Sequence, residues 1–355
     1  MRFDIPALDE NARARAREQL DGLVKPLGAL GRLEDLAAWL CAAHGTVPPR
    51  PLDNVRVVVF AGDHGVTDVP TSAAVSAYPR EITSAMVRVF HAGNSGVNVL
   101  ARQAGAAVRV VDIAVDGDLD DLPGAITGHK IRSGSGPIDR TDALAEGEAE
   151  RAFAAGRLIA DEEIDAGADL LIPGDMGIGN TTIAAALVAA TLGTGTPDTG
   201  DTEHVERTVG AGTGVDEEGR ARKIAVIGAA LARAGSRADE PFERLTALGS
   251  ACAAATAGFL VQAAVRGVPV LLDGVFSVAA ALVARDIAPD AAHWWLAGHR
   301  STEPAQSLAL KALGLDPVLD LGLRLGEGSG AVQAVPVLRG ARAVLAEMGR
   351  LADLG

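Results

Sequence analysis

Residues 168–190 read ADLLIPGDMGIGNTTIAAALVAA. Leu170 to Pro173 form an apolar run, glycines follow at 174, 177 and 179, and after Asn180-Thr181-Thr182 comes an Ala-rich segment with no helix breaker. The pattern predicts strand, glycine loop, helix. Glycine lets a backbone turn tightly and approach a ligand closely. Asn or Thr at a helix start leaves the first N–H groups facing the loop, where the helix dipole adds partial positive charge. The default guest is an anion, most often phosphate. An ordinary strand-to-helix turn with a capping Asn or Thr reads the same from this stretch alone. The spacing matches neither G-x-G-x-x-G nor G-x-x-x-x-G-K-[ST].

Around that loop lies a chain of 355 residues, enough for about two domains or for one large α/β domain with a helical appendage. Hydrophobic residues make up 48% but aromatics only 3%, so the core has to be built from Ala, Val, Leu and Ile. A formal net charge of −14 argues against a nucleic-acid partner and against anionic membrane surfaces. Cys41 and Cys252 are far apart in Ala-rich surroundings, so buried free thiols in a reducing cytoplasm are expected rather than a disulfide. The N-terminal segment lacks the apolar core of a signal peptide. The longest apolar run, Ala251 to Val265, contains Gln262 and suits a buried helix better than a membrane span. The expectation is a soluble, cytoplasmic protein. Of the 32 basic residues only Lys25, Lys130, Lys223 and Lys311 are lysines, and each is a candidate for a compact point charge that arginine does not imitate.

Along the chain, helices are predicted from Pro6 to Leu20 and through Leu33, Leu36, Ala37 and Leu40 to a stop at Gly45. Val55 to Phe60 reads as a strand ending in AGDHGV, and Val108 to Val115 as a second strand after a helix from Glu81 to Gln103. Residues 116–140 read as loop, and Glu146 to Ala166 as a helix feeding the central stretch. Gly195 to Val209 reads as a loop, and VGAGTGV introduces a further helix. Ala251 to Val265 follows as a helix, VPVLLDG at 268–274 as a strand, Ser277 to Arg285 as a helix and His293 to Ala297 as a short strand. GHRSTEPAQSLALKALGL continues from it, and LRLGEGSGA at 323–331 precedes a final helix. Strands alternating with helices imply parallel pairing and an open, mostly parallel α/β sheet of Rossmann-like type with flanking helices. Ligands of such sheets bind at the carboxyl ends of the strands. The expected division is a small helical cap made from residues 1–45 together with 332–355, and an α/β domain over 46–331.

Several residues in these loops can carry chemistry. Glu327 stands between Gly326 and Gly328, so a ligand can reach its carboxylate closely, and partial desolvation would raise its pKa toward that of a general base. It also fits a helix-start glutamate held by the dipole. Asp175 lies inside the central loop, where an acid beside an anion site hints at a cationic partner, unless it closes an Asx-turn. Asp63-His64, with no second ligand cluster, make a poor metal site and fit a structural or substrate-orienting role. Lys223, one turn into the helix after AGTG, can aim an ammonium at a phosphate or lie as a solvated helix lysine. Asp273, at the end of VPVLLDG, sits where a hydroxyl-binding carboxylate would sit, or forms an Asp-Gly turn.

KPLGALGRLE, FAGDHGV, GDMGIGNTT, VPVLLDG and LRLGEGSGA, in this order over nearly the whole chain, resemble the nicotinate-nucleotide:5,6-dimethylbenzimidazole phosphoribosyltransferase family of cobalamin nucleotide-loop assembly. The resemblance implies an α/β sheet domain, a small helical domain from the chain ends and a homodimer. The implied reaction moves the 5-phosphoribosyl group from nicotinate mononucleotide to dimethylbenzimidazole, giving α-ribazole 5′-phosphate and nicotinate. It implies Glu327 as the catalytic glutamate, a phosphate loop over Gly177, Gly179, Asn180, Thr181 and Thr182, a contribution from Lys223 after the glycine loop containing Gly212, and a base slot lined by Ser76, Tyr78 and Met86. The family commonly carries Glu where this chain has Asp175, one methylene shorter. The pyridinium leaving group departs neutral and there is no pyrophosphate to chelate, so neither a general acid, a metal nor a cofactor is called for. Asp175 is the candidate for steadying oxocarbenium character at the ribose. Two other readings are a nicotinamide-dinucleotide-dependent oxidoreductase, against which the missing G-x-G-x-x-G counts, and a non-catalytic nucleotide-binding module.

Overall fold

A computed structural model describes residues 2–67, 75–193, 202–212 and 214–354. The chain begins with helices α1 (Glu10–Asp21) and α2 (Arg32–His44). Strand β1 (Val55–Gly62), helices α3 (Ile82–His91) and α4 (Gly96–Gln103), strand β2 (Ala106–Ala114) and the one-turn α5 (Gly124–Thr127) follow. Helix α6 (Glu148–Asp165) leads into β3 (Leu170–Met176) and α7 (Asn180–Gly193). Next come α8 (Thr202–Glu206), α9 (Glu217–Ala234), α10 (Pro241–Leu248) and α11 (Ala251–Val265). The last third alternates β4 (Val270–Leu272), α12 (Val275–Ile287), β5 (Trp295–His299), α13 (Pro304–Leu313), β6 (Pro317–Leu319) and the closing α14 (Ser329–Glu347).

All six strands pair in parallel, in the order β2-β1-β3-β4-β5-β6. From β1 the chain builds first to one side and then to the other, so the β1/β3 boundary is the switch point outside which such sheets bind ligands. Alternation along β1 sends Val57, Val59 and Ala61 to one face and Val58 and Phe60 to the other. Both sets are buried, because a parallel sheet is covered by helices on both sides. Residues of α1, α2, α4 and α14 cover the first face, and residues of α6, α7, α11 and α12 the second. The scarcity of aromatics is matched by close backbone packing. A Cβ on Gly156 of α6 would lie 1.8 Å from the Ala255 carbonyl of α11, and one on Gly258 would lie 2.0 Å from the Phe153 carbonyl.

Several elements differ from the sequence expectation. The helix expected from Glu81 to Gln103 is two helices, because Gly93 turns left-handed at φ +77° and Ser95 starts α4 with a capping box closed by Asn98. Asp175 belongs to strand β3 rather than to the loop after it. The expected strand from His293 begins at Trp295, since 289–294 form a 3-10 turn. The 116–140 loop contains α5. Of the loop expected over 195–209, residues 195–201 lie outside the described residues, and 202–206 form α8. Helix α10 and the three-residue edge strand β6 had no recognised signal. Cys41 and Cys252 are free and buried. No helix among the described residues is long and apolar enough to cross a membrane.

Candidate active site

Phe60 of β1 pairs with Asp175 of β3, so the loops after both strands leave the sheet side by side. They open onto a cavity of about 610 Å3. Its polar wall is made by Gly177, Gly179, Asn180 and Thr181 after β3, with Gly212 and Lys223 from the second glycine loop and α9. An apolar wall comes from Val75, Ile82 and Met86, with Leu323 and Leu325 from the segment before α14. Ser76 and Tyr78 also line it, as do the carboxylates of Asp175 and Glu327.

The glycines are needed for close approach. A Cβ on Gly177 would lie 2.1 Å from the Gly62 carbonyl and 2.8 Å from His64 Nε2. Gly212, at φ +55°, would bring a Cβ to 3.0 Å from Thr181 Oγ1 and 3.4 Å from Lys223 Nζ. The loop after β3 is anchored by Thr83 of α3, whose hydroxyl accepts the Ile178 N–H at 3.2 Å. Lys223 is 1% exposed and donates to Thr181 Oγ1 at 2.9 Å and to the Gly210 carbonyl at 3.1 Å. Burial pushes its ammonium pKa down, against the pull of Glu303, with Arg220 adding to the fall.

Glu327 has φ +66°, the only left-handed non-glycine among the described residues, between Gly326 at +78° and Gly328 at +90°. A non-glycine residue persists in that region only when its surroundings over-determine it. Here they do. A Cβ on Gly174 would lie 2.3 Å from the Glu327 carbonyl, and one on Gly328 would lie 2.5 Å from Val57 Cγ1, so the loop is pressed onto the sheet end. Asp273 ties it down further, with Oδ2 accepting the Gly328 N–H at 2.9 Å and Oδ1 accepting those of Gly330 and Ala331 at 2.9 and 2.8 Å. His299 Nε2 stands 3.3 Å from Asp273 Oδ1.

Three carboxylates therefore share one end of the sheet, one with its proton affinity held low and two with theirs raised. Burial would push Asp273 up, but His299 and the loop N–H groups hold it below the ordinary range. His299 is raised in turn: burial pulls it down, and the hydrogen bond and charge of Asp273 outweigh that. Burial pushes the Glu327 carboxyl up to about 7, opposed by a backbone hydrogen bond from Val97 and helped by the Asp273 charge. Burial also pushes Asp175 up to about 7, opposed by Asn180 Nδ2, which donates to its Oδ2 at 2.5 Å, and helped by the charges of Asp273 and Glu327. The two carboxyls inside the cavity are thus both pushed toward neutral pH, the range in which a group can exchange protons.

Of the residues singled out in the sequence, Asp175, Gly177, Gly179, Asn180, Thr181, Gly212, Lys223, Ser76, Tyr78, Met86 and Glu327 meet at this cavity. Thr182 and Asp273 do not line it. Thr182 is fully buried in α7, and Asp273 stands behind the Glu327 loop, placed to hold that loop rather than a ligand hydroxyl. Asp63 and His64 lie beneath the glycine loop. Asp63 accepts the Asp116 N–H at 2.7 Å, and burial pushes His64 down to about 4, leaving it neutral. The sequence reading missed Thr83, Glu303 and Arg324. Glu303 accepts the Gly212 N–H at 2.7 Å, and Arg324 donates to the Gly212 carbonyl at 3.1 Å. An acid before Pro304 looks like an ordinary helix start, and Thr83 carries no local signal.

Fold and site together define an α/β enzyme that places two buried carboxyls of raised proton affinity beside a lysine-bearing glycine-loop pocket. A family model described as phosphoribosyltransferase matches residues 5–355. The chain is 54% identical, over 98% of its length and 95% of the relative's, to nicotinate-nucleotide–dimethylbenzimidazole phosphoribosyltransferase of Mycolicibacterium paratuberculosis. Identity to the protein of that name from Mycobacterium tuberculosis is 53%, over 98% of this chain and 92% of that one. The crystal structure of CobT from Thermus thermophilus superposes with a TM-score of 0.88 at 44% identity, covering 96% of this chain and 98% of that one. The chain belongs to the family of nicotinate-nucleotide–dimethylbenzimidazole phosphoribosyltransferases.

Proposed function

We propose that this protein transfers the 5-phosphoribosyl group of nicotinate mononucleotide to 5,6-dimethylbenzimidazole, releasing nicotinate and forming α-ribazole 5′-phosphate for the lower nucleotide loop of cobalamin. The observation that carries this reading is the convergence on one cavity of Glu327, with its carboxyl at about 7, and the Lys223 glycine-loop wall. The 5-phosphate takes the Gly177–Thr181 loop and Lys223. Gly179, left-handed at φ +92°, and the first turn of α7 at Asn180 and Thr181 line this wall, and helix-start N–H groups suit an anion there. The benzimidazole takes the apolar wall of Val75, Ile82, Met86 and Leu325, with Ser76 and Tyr78 beside it.

Nicotinate leaves as a neutral pyridine ring, so no proton has to be supplied to it. The azole attacks C1′ through one ring nitrogen, the C1′–N bond to nicotinate breaks, and the proton on the other ring nitrogen passes to Glu327. Positive charge growing on the ribose ring is countered by Asp175 when ionised. Attack on the face opposite the leaving group turns a β-nucleotide into an α-product.

Tyr78 and Leu325 line the cavity yet remain 51% and 52% exposed, with Leu321 at 62% close by in sequence, which supports a second copy of the chain covering the mouth in a homodimer. A cytoplasmic setting accords with two free cysteines. The test of the reaction is a product assay: nicotinate release that depends on dimethylbenzimidazole, with the product carrying an α-anomeric proton by NMR. Release without the azole, or a β-product, defeats the reading.

A further inference from the structure

The three-residue turn Gly210–Gly212 touches two buried ions. Lys223, 1% exposed, donates to the Gly210 carbonyl, and Glu303, 5% exposed, accepts the Gly212 N–H at 2.7 Å. A Cβ on Gly210 would lie 2.6 Å from both Glu303 carboxyl oxygens, so glycine there is what admits the carboxylate. Glu303 stands at the N-cap of α13 but makes no side-chain cap to that helix. Its own N–H donates to Ser301 Oγ at 3.3 Å. The carboxylate is thus spent on a distant turn instead of on its own helix end. Among the described residues no carboxylate lies within ion-pair distance of Lys223 Nζ.

We infer that Glu303 is a positioning residue of the phosphate end: it fixes the Gly210–Gly212 turn and keeps the Lys223 ammonium charged from the far side of that turn, without neutralising it by contact. The physical case has two sides. A lysine in direct contact with a carboxylate spends an N–H on that pair and has its charge partly neutralised, which weakens its hold on a phosphate. A buried lysine with no negative charge near it tends to lose its proton. A carboxylate one peptide turn away answers both, and leaves the third N–H of the ammonium for a ligand oxygen. Among the described residues the charges that act on Lys223 are Glu303 from the start of α13 and Arg220 one turn earlier on α9, while Arg324 reaches the same turn from the segment before Glu327 and the carboxylates of Asp175 and Glu327 line the same cavity. Of the two that shift its proton affinity, Glu303 supplies the opposing charge. The inference rests on the reading that Lys223 binds the 5-phosphate.

The experiment measures KM for nicotinate mononucleotide and kcat from about pH 6 to about pH 10 in three variants of the full chain. Glu303→Gln keeps an oxygen for the Gly212 N–H and removes the charge. It is expected to match the wild type at the acid end, to raise KM on the order of 10-fold at the alkaline end, and to shift the alkaline limb of kcat/KM to lower pH with kcat retained. A profile parallel to the wild type overturns the inference. So does a defect confined to Glu303→Ala, which makes Glu303 a packing group alone. Lys223→Met separates the two layers. An unchanged KM there sinks the phosphate reading itself, whereas a raised KM beside an unshifted Glu303→Gln profile sinks only the role given to Glu303.

Discussion

Asp273 Oδ2 holds the backbone N–H of Gly328 at 2.9 Å, and through that bond a carboxylate outside the cavity fixes the place of the glutamate inside it. Asp273 accepts the backbone N–H groups of Gly328, Gly330 and Ala331, so it holds Glu327 in place through that backbone, and its charge also raises the proton affinity of the Glu327 carboxyl. In Asp273→Asn an amide N–H₂ replaces one acceptor and faces N–H donors, leaving buried donors unpaired. The expected result is a kcat lower by on the order of 100-fold and a stability loss of about 3 kcal/mol, since small displacements at a reacting centre are costly. Calorimetry beside steady-state kinetics tests this, and an Asn variant with wild-type kcat would remove Asp273 from the positioning scheme.

Glu327→Gln keeps size and shape and loses the base. A fall in kcat of roughly 10²- to 10⁴-fold is expected for a lost proton acceptor. In the wild type the base has to be ionised, so kcat/KM should decline as pH falls through about 7, the value to which burial pushes this carboxyl. A rate that stays level down to about pH 5 speaks against Glu327 as the group being titrated.

The same shift has a consequence for stability. The Glu327 carboxyl rises from an ordinary 4.5 to about 7 on folding, so between those values the folded state binds more protons than the unfolded chain. Folding stability therefore decreases as pH rises across that window and levels off above it. Full ionisation costs up to about 3 kcal/mol. Glu327→Gln should accordingly melt higher than the wild type at about pH 8 and close to it at about pH 4.5. Equal melting temperatures at the higher pH would show that ionised Glu327 carries no such cost.

Gly174 is a purely steric prediction. Its added Cβ would lie 2.3 Å from the Glu327 carbonyl oxygen and 2.9 Å from the Gly328 nitrogen, both backbone atoms that cannot swing aside. Gly174→Ala should displace the loop, lower kcat by on the order of 100-fold and destabilise the fold by about 1–3 kcal/mol. Activity measured beside a denaturant titration decides it, and a fully active alanine variant refutes the close contact.

Thr83 ties helix α3, which presents Ile82 and Met86 to the cavity, to the Ile178 N–H of the glycine loop. Thr83→Val should raise KM for nicotinate mononucleotide by roughly 5- to 10-fold through loss of one buried hydrogen bond, and Thr83→Ser should restore it. Isothermal titration with the nucleotide alone gives the answer without turnover. Valine and serine variants of equal affinity would mean that the loop stands without Thr83.

Much of this protein is legible in order along the chain. The β-branched runs at 55–60 and 108–115 place β1 and β2, the glycine loop after Leu170 to Pro173 marks the strand-to-helix turn, and Glu327 stands out as a carboxylate flanked by glycines. These are local signals, because backbone freedom and side-chain periodicity are written within a few residues. The sequence also held the resemblance that predicts the reaction. What only the tertiary structure decided is the partnership of groups far apart in the chain: Asp273 with Gly328, Glu303 with Gly212, Thr83 with Ile178. The proton affinity of Glu327 is of the same kind, since burial and the Asp273 charge set it. Desolvation and buried hydrogen bonding depend on what surrounds a group in space, and nothing in the local composition around residue 327 specifies that Asp273, 54 residues earlier, will stand behind it.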